Sequence, residues 1–270
     1  MDRLALERHI RATPVSGSPA EMRAAFLRLA RPGDVPELPK VETVGGCGGR
    51  WFGTGSRPIL WLHGGGYVFG GSDSHSAPAW VLAAISGRPV FVPDYPLAPE
   101  RPWPAQRDAV AGILDALGEC DIVGDSAGGH LALVLATSCA VRIRRLAVLS
   151  PNTDRSGQST TRTRNCATDA MNDDAQDRRL SDMALGSLSN RDPEASPLLA
   201  DLGALPPLFM SATTTEVLLD DTLLFATCAA RAGVPTTLNV LPNLFHMWHL
   251  WPDGLPEARQ TLAAVAHHLA

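Results

Sequence analysis

A serine at position 126 has the surroundings that turn a hydroxyl into a nucleophile. It sits in Gly124-Asp-Ser-Ala-Gly128, after the short apolar run Ile122-Val123 and before an Ala/Leu-rich stretch that reads as a helix. A strand turning sharply into a helix, with Ser at the tip and Gly two residues to either side, is a nucleophile elbow. The serine backbone is strained there, so its hydroxyl stands clear of the sheet. Strand and helix pass too close for a Cβ at either flanking position. The N-terminus of the following helix turns free N–H groups and partial positive charge toward any oxyanion formed at the serine.

A serine hydroxyl needs a base to take its proton, and the base needs a carboxylate to hold its tautomer. His246, in Asn243-Leu-Phe-His-Met-Trp248, follows the last expected strand on a loop at the C-terminal edge of the sheet, where ligands collect in α/β folds. His249, three residues on, is the rival. His130 lies one turn past Ser126 and is expected to pack or hydrogen-bond beneath the site. For the acid, Thr215-Glu-Val-Leu-Leu-Asp-Asp221 offers Glu216, Asp220 and Asp221. Glu216 lies nearest the preceding strand and is favoured. The two aspartates fall where a helix starts, a common place for a carboxylate that only caps. Spacing alone does not decide among the three. The order Ser, acid, His matches a triad assembled on such a sheet. A second Gly-rich run, His63-Gly-Gly-Gly-Tyr-Val-Phe-Gly-Gly71, follows the apolar segment Pro58–Leu62 and reads as an oxyanion loop, whose glycines let backbone N–H groups converge on one point.

The elements that must carry these residues are legible in outline. Helices are expected over 2–12 and 19–31, before any strand. The Pro/Gly-rich RPGDVPELP then breaks the pattern. Strands are expected at 41–44, 49–53, 58–62, 89–93, 145–149, 207–210 and 235–241, with helices at 105–117, 218–230 and 256–269. Strands alternating with helices, several of them apolar throughout, predict a mostly parallel sheet covered on both faces. The polar stretch 152–191, with a weakly periodic helix at 174–186, is long for a connection and reads as a lid or binding element.

The chain has 270 residues, 45% hydrophobic and 19% charged, with net charge -5. One large domain with a small appendage fits that size. Mild acidity argues against a nucleic-acid partner. No run is long and apolar enough to cross a bilayer, so no stable membrane association is expected. The charged N-terminus does not read as a signal peptide. Cys47, Cys120, Cys139, Cys166 and Cys228 are odd in number and lack C-x-x-C spacing. That predicts reduced thiols in a cytoplasmic protein rather than disulfides or a zinc cluster.

Together, His63-Gly-Gly-Gly-Tyr67, Asp94-Tyr-Pro-Leu-Ala-Pro-Glu100, Gly124-Asp-Ser-Ala-Gly-Gly-His130, Glu216-Val-Leu-Leu-Asp-Asp221 and the His246 loop resemble the bacterial hormone-sensitive-lipase-like esterases of the α/β-hydrolase superfamily. The likeness runs from about residue 58 to 250. It implies an α/β-hydrolase fold, Ser126 as nucleophile, His246 as base and Glu216 as acid. It also implies an oxyanion hole from the N–H groups of Gly65, Gly66 and Ala127. Residues 41–151 and 204–270 would form the catalytic domain, and 1–40 with 152–203 a helical cap. The expected activity is hydrolysis of small, short-acyl esters, with no metal or organic cofactor. A lactone hydrolase or aryl formamidase would use the same triad, and a ligand-binding protein on the same scaffold is the alternative of a different class. Tyr67, Phe69, Met171 and Trp248 are candidates to line the pocket or simply to fill the core. The insert is unusually polar for the family. A last strand at 235–241 left exposed could pair with its twin in a homodimer.

Overall fold

Eight strands form one sheet in the order β1-β2-β4-β3-β5-β6-β7-β8. The computed structural model describes residues 3–31, 37–138 and 143–270. The strands are β1 Val41–Val44, β2 Cys47–Phe52, β3 Ile59–Leu62, β4 Val90–Pro93, β5 Cys120–Asp125, β6 Ile143–Leu149, β7 Leu208–Thr213 and β8 Thr236–Leu241. β2 runs antiparallel to both its neighbours, and β3 to β8 pair in parallel. β3, β4, β5 and β7 are buried along their whole length, which is why they read as unbroken apolar runs rather than alternating ones.

Successive side chains on a strand point to opposite faces, and the core divides accordingly. Leu60, Phe91, Ile122, Val148 and Met210 face one side, and Ile59, Trp61, Val92, Val123 and Phe209 the other. The helices are α1 Arg3–Ala12, α2 Pro19–Ala30, α3 Ser76–Ser86, α4 Ala105–Leu117, α5 Ala127–Ser138, α6 Thr161–Arg164, α7 Asp174–Leu185, α8 Leu219–Arg231 and α9 Pro256–Leu269. α3 and α9 pack on the second face, and α4, α5 and α8 on the first. α3 is absent from the sequence expectation. Its uniformly apolar sequence lacks a polar stripe, and Pro78 reads as a breaker. That proline sits in the first turn, where its missing N–H costs nothing. The expected helix at 2–12 is found from Arg3, and most of the expected break at 31–39, like Cys139, lies outside the described residues. The four described cysteines, Cys47, Cys120, Cys166 and Cys228, carry free thiols.

β7 runs three residues beyond the expected strand, which brings Glu216 close to its end. Because β3 and β5 to β8 are parallel, the loops after β3, β5, β7 and β8 all leave the sheet at one edge. α2 begins with a capping box on Ser18 and Glu21. It docks through Arg23, which donates to the Val68 and Ala98 carbonyls and pairs with Glu100.

Candidate active site

Ser126 holds φ 51°, the left-handed region that a side chain occupies only under strain. Its N–H is tied to the Leu149 carbonyl at 3.0 Å, and its own carbonyl accepts from His130 N–H, opening α5. A Cβ on Gly124 would stand 2.5 Å from the Gly128 carbonyl oxygen, and one on Gly128 would overlap the Leu62 carbonyl. Both flanking glycines are thus required by the strand–helix approach that exposes the serine.

Ser126 Oγ lies 2.9 Å from His246 Nε2, and His246 Nδ1 lies 2.8 Å from Glu216 Oε2. Glu216 is fully buried. Its other oxygen accepts from Ser150 Oγ and from Thr213 N–H, both at 2.9 Å. Three donors on two oxygens hold the carboxylate in one orientation. Burial alone would lower the pKa of His246, but the hydrogen bond and charge of Glu216, with Asp169 and Asp125 beyond, hold it above the ordinary histidine value.

The three alternatives weighed above go elsewhere. His249 is sealed in the core, with Nε2 3.5 Å from Asp125 Oδ2 and its ring against Trp61. Asp220 and Asp221 lie in the first turn of α8, whose start has no side-chain capping bond, and their carboxylates reach the polar insert instead. Asp220 accepts the N–H groups of Thr160 and Thr161, and Asp221 those of Thr153 and Asp154. Arg162 adds a buried bridge from Asp221 to Asp177 on α7, and Arg155 also pairs with Asp177. Part of the polar character of 152–191 has this physical origin: Arg155, Arg162 and Asp177 are buried or half-buried partners that tie the segment to α8.

Three loops shape the space in front of the serine. The Gly65 carbonyl accepts the N–H groups of Val68 and Phe69, and neither Gly65 nor Gly66 donates its N–H to another backbone carbonyl of the described residues. Gly65 and Gly66 have φ 119° and 58°, and a Cβ on Gly65 would collide with the Phe69 carbonyl. Ala127 is the first residue of α5, where a helix leaves its N–H groups unpaired. The Asp94–Glu100 motif braces this loop. Asp94 accepts Ser72 N–H and Oγ, and Tyr95 stacks on His63 at 4.0 Å while its hydroxyl donates to the His63 carbonyl.

Sequence reasoning did not find Asp125. Its Oδ1 accepts from Trp61 Nε1 at 2.8 Å, and its Oδ2 from Gly64 N–H at 3.1 Å. His75 Nε2 lies 3.2 Å from the same Oδ2. Among the described residues, His75, Asp125 and His249 are the cluster with metal-ligand spacing. Gly64 N–H also reaches His75 Nε2 at 3.3 Å, so a backbone donor already fills the space between the ligand atoms. The cluster is a hydrogen-bonded hub that ties the His63–Gly71 loop to the turn at Ser126. Burial is the largest single influence and would raise the Asp125 carboxyl, but the charges and hydrogen bonds of His75 and His249 together outweigh it and hold Asp125 well below the usual carboxylate range. A signal was present, since an acid between Gly and Ser at the end of a fully buried strand must find donors or lose its charge.

His130 lies beneath the site, as expected, with Nδ1 2.6 Å from Tyr67 Oη. Of the candidate pocket residues, Phe69 and Met171 line the chamber at Ser126. Tyr67 and Trp248 are core, the latter donating to Thr261 on α9. The chamber has a volume of about 30 Å³ and includes Phe26, Leu180 and Met247 in its wall. It shares Val15, Met171, Asn172 and Gln176 with a wider vestibule of about 360 Å³ between α1 and residues 166–176. Phe26 also borders a separate cavity of about 260 Å³.

The family described as alpha/beta hydrolase fold matches residues 59–250. An acetyl-hydrolase of Streptomyces hygroscopicus is 34% identical over 245 residues, covering 86% of this chain and 80% of that protein. An ethyl acetate hydrolase of Pseudomonas putida is 31% identical, covering 78% and 72%. Among solved structures, an esterase from the bacterial hormone-sensitive lipase family superposes with a TM-score of 0.90 at 28% identity, over 100% of this chain and 98% of that one. A mutant of the esterase E40 gives 0.91 at 28% identity, over 99% and 97%.

Proposed function

The chain belongs to the α/β-hydrolase family, among the bacterial hormone-sensitive-lipase-like esterases, and is a carboxylic ester hydrolase; from that premise we propose that it is a serine carboxylesterase for small, short-acyl esters, working through an acyl-enzyme. One observation carries this reading: an unbroken hydrogen-bonded chain from Ser126 Oγ through His246 to Glu216.

Ser126 Oγ attacks the ester carbonyl while His246 Nε2 takes its proton. Glu216 holds Nδ1–H and stabilises the imidazolium. The N–H groups of Gly65, Gly66 and Ala127 receive the oxyanion, each worth on the order of 3 kcal/mol of barrier. His246 then protonates the leaving alcohol and the C–O bond breaks. In the second half, His246 takes a proton from water, the hydroxide attacks the acyl-serine, and the carboxylic acid departs as Ser126 regains its proton.

A chamber of about 30 Å³, room for roughly two waters, supports a short acyl group. The names of the Streptomyces and Pseudomonas relatives point to acetyl esters as the first to try. In this reading, 41–151 and 204–270 form the catalytic domain, and 1–40 with 152–203 a cap. Support comes from Val15, Phe26, Met171 and Leu180, which reach the chamber from those segments. β8 is an edge strand with Leu238 and Val240 partly exposed, which supports a homodimer through it. The free thiols of the described cysteines accord with a cytoplasmic location. The test is a panel of p-nitrophenyl esters of increasing acyl length against wild type and Ser126→Ala. Turnover is expected on acetate and butyrate, falling steeply for longer chains, and abolished in the variant. A variant that keeps wild-type rates would overturn the assignment.

A further inference from the structure

Asp169 lies in the turn between α6 and α7, almost wholly buried, and its carboxylate accepts backbone N–H groups from three separate stretches. Oδ1 takes Met171 N–H at 3.0 Å and Asn172 N–H at 3.3 Å within its own turn, and His246 N–H at 3.4 Å. Oδ2 takes Val217 N–H at 3.1 Å. Val217 follows Glu216, and His246 is the base itself. A turn-forming aspartate needs only the first two of these bonds. The other two make one side chain the junction of the loop bearing the acid, the loop bearing the base and the polar insert.

The position is also electrostatically costly. Burial, with Glu216 nearby, pushes the Asp169 carboxyl up to about 6 despite the charge of His246 and its bonds to backbone N–H groups. An ionised carboxylate kept where burial and a like charge oppose it is the pattern of a functional group more than of a structural one.

We propose that Asp169 is a positioning residue for the hydrolysis described above: its carboxylate pins the Glu216 and His246 loops to the insert and sets a second negative charge behind the imidazole. This rests on the triad reading. Glu216 orients Nδ1, and Asp169 fixes the backbone from which the imidazole projects. The charged and titratable groups around the pair are Glu216 on the β7–α8 loop, Asp125 and His249 beyond His246, and Cys166, Asp173 and Arg11 around the vestibule that Asp169 borders.

Asp169→Asn keeps the shape and one acceptor oxygen while removing the charge. The imidazole of His246 is titrated by nitrogen NMR in wild type and variant, a readout independent of turnover. The pH dependence of kcat/KM for p-nitrophenyl acetate is measured alongside. Removing a nearby negative charge destabilises the imidazolium, so His246 should titrate about one unit lower in the variant, and the acid limb of kcat/KM should move with it. At the plateau kcat should fall about tenfold, with KM within about twofold. An imidazole titrating at the same pH in both proteins overturns the proposal, as does an undiminished kcat. If D169N does not fold, Asp169→Ser, which keeps an oxygen for the local turn without the charge, is read the same way. Failure of the esterase reading is separate, because it would appear as turnover surviving Ser126→Ala.

Discussion

Replacing Glu216 with Gln removes one charge and almost no volume, and the surroundings of the side chain dictate how the amide must turn. Oε1 accepts from Thr213 N–H and Ser150 Oγ, both at 2.9 Å, while Oε2 faces His246 Nδ1 at 2.8 Å. Turning the amide nitrogen toward Thr213 would set donor against donor and leave a buried N–H unpaired, at about 1–3 kcal/mol. The glutamine oxygen therefore takes the Oε1 place, and its NH₂ faces the imidazole. Nδ1 must then accept, the ring proton moves to Nε2, and Nε2 donates to Ser126 Oγ instead of receiving its proton. The serine still has a neighbour at 2.9 Å but no base. A wrong tautomer together with the lost charge should lower kcat by about 10³- to 10⁴-fold, or roughly 4–5.5 kcal/mol of barrier. Hydrolysis of p-nitrophenyl acetate gives the rates, and circular dichroism with a thermal melt confirms that the isosteric variant is folded. A folded E216Q enzyme within tenfold of the wild-type kcat would refute both the role of Glu216 and the tautomer argument.

Further outcomes follow from the same geometry. The base must be neutral to act, and His246 is held above its ordinary value, so kcat/KM should fall as pH drops through a midpoint above 6.5; an acid limb centred below about 6 would contradict this. Gly128→Ala drives a Cβ into the Leu62 carbonyl, and the strand–helix approach can yield only by shifting backbone. It should cost at least about 1–3 kcal/mol in a denaturant melt, and a variant as stable as wild type would be evidence against the tight elbow. Phe26 lines both the Ser126 chamber and the cavity of about 260 Å³. Phe26→Ala should raise the octanoate-to-acetate ratio of kcat/KM by about tenfold or more, and an unchanged chain-length profile would sink that reading.

The parts legible in the sequence are those where sterics or chain order leave a local trace. Gly124 and Gly128 are needed because a helix crosses a strand at backbone contact distance, and that need prints a five-residue pattern. His63 to Gly71 is legible because its backbone folds back on itself too closely for a Cβ at Gly65 or Gly70. The rule that loops after parallel strands share one edge brings the loops of Glu216 and His246 together, and it leaves Glu216, Asp220 and Asp221 equal as candidates for the acid. The missed features depend on distant partners. Asp125 meets Trp61, Gly64 and His75, and Asp169 meets Val217 and His246, residues 48 to 77 positions away. An acceptor that serves backbone N–H groups requires no residue type in its partner, so no spacing betrays it. Asp220 and Asp221 mislead for a related reason: a carboxylate in a helix's first turn suits that helix equally whether or not it also grips an insert sixty residues upstream.

The central claim is that one hydroxyl, set at the sheet edge by strain and aimed by an imidazole, becomes covalently acylated. Intact-protein and peptide mass spectrometry after exposure to a fluorophosphonate ester tests it most directly. The account predicts a single adduct on the peptide containing Ser126, absent from Ser126→Ala and slowed severely in Glu216→Gln. An unlabelled folded enzyme that still hydrolyses acetate esters, or an adduct on a different residue, would contradict it.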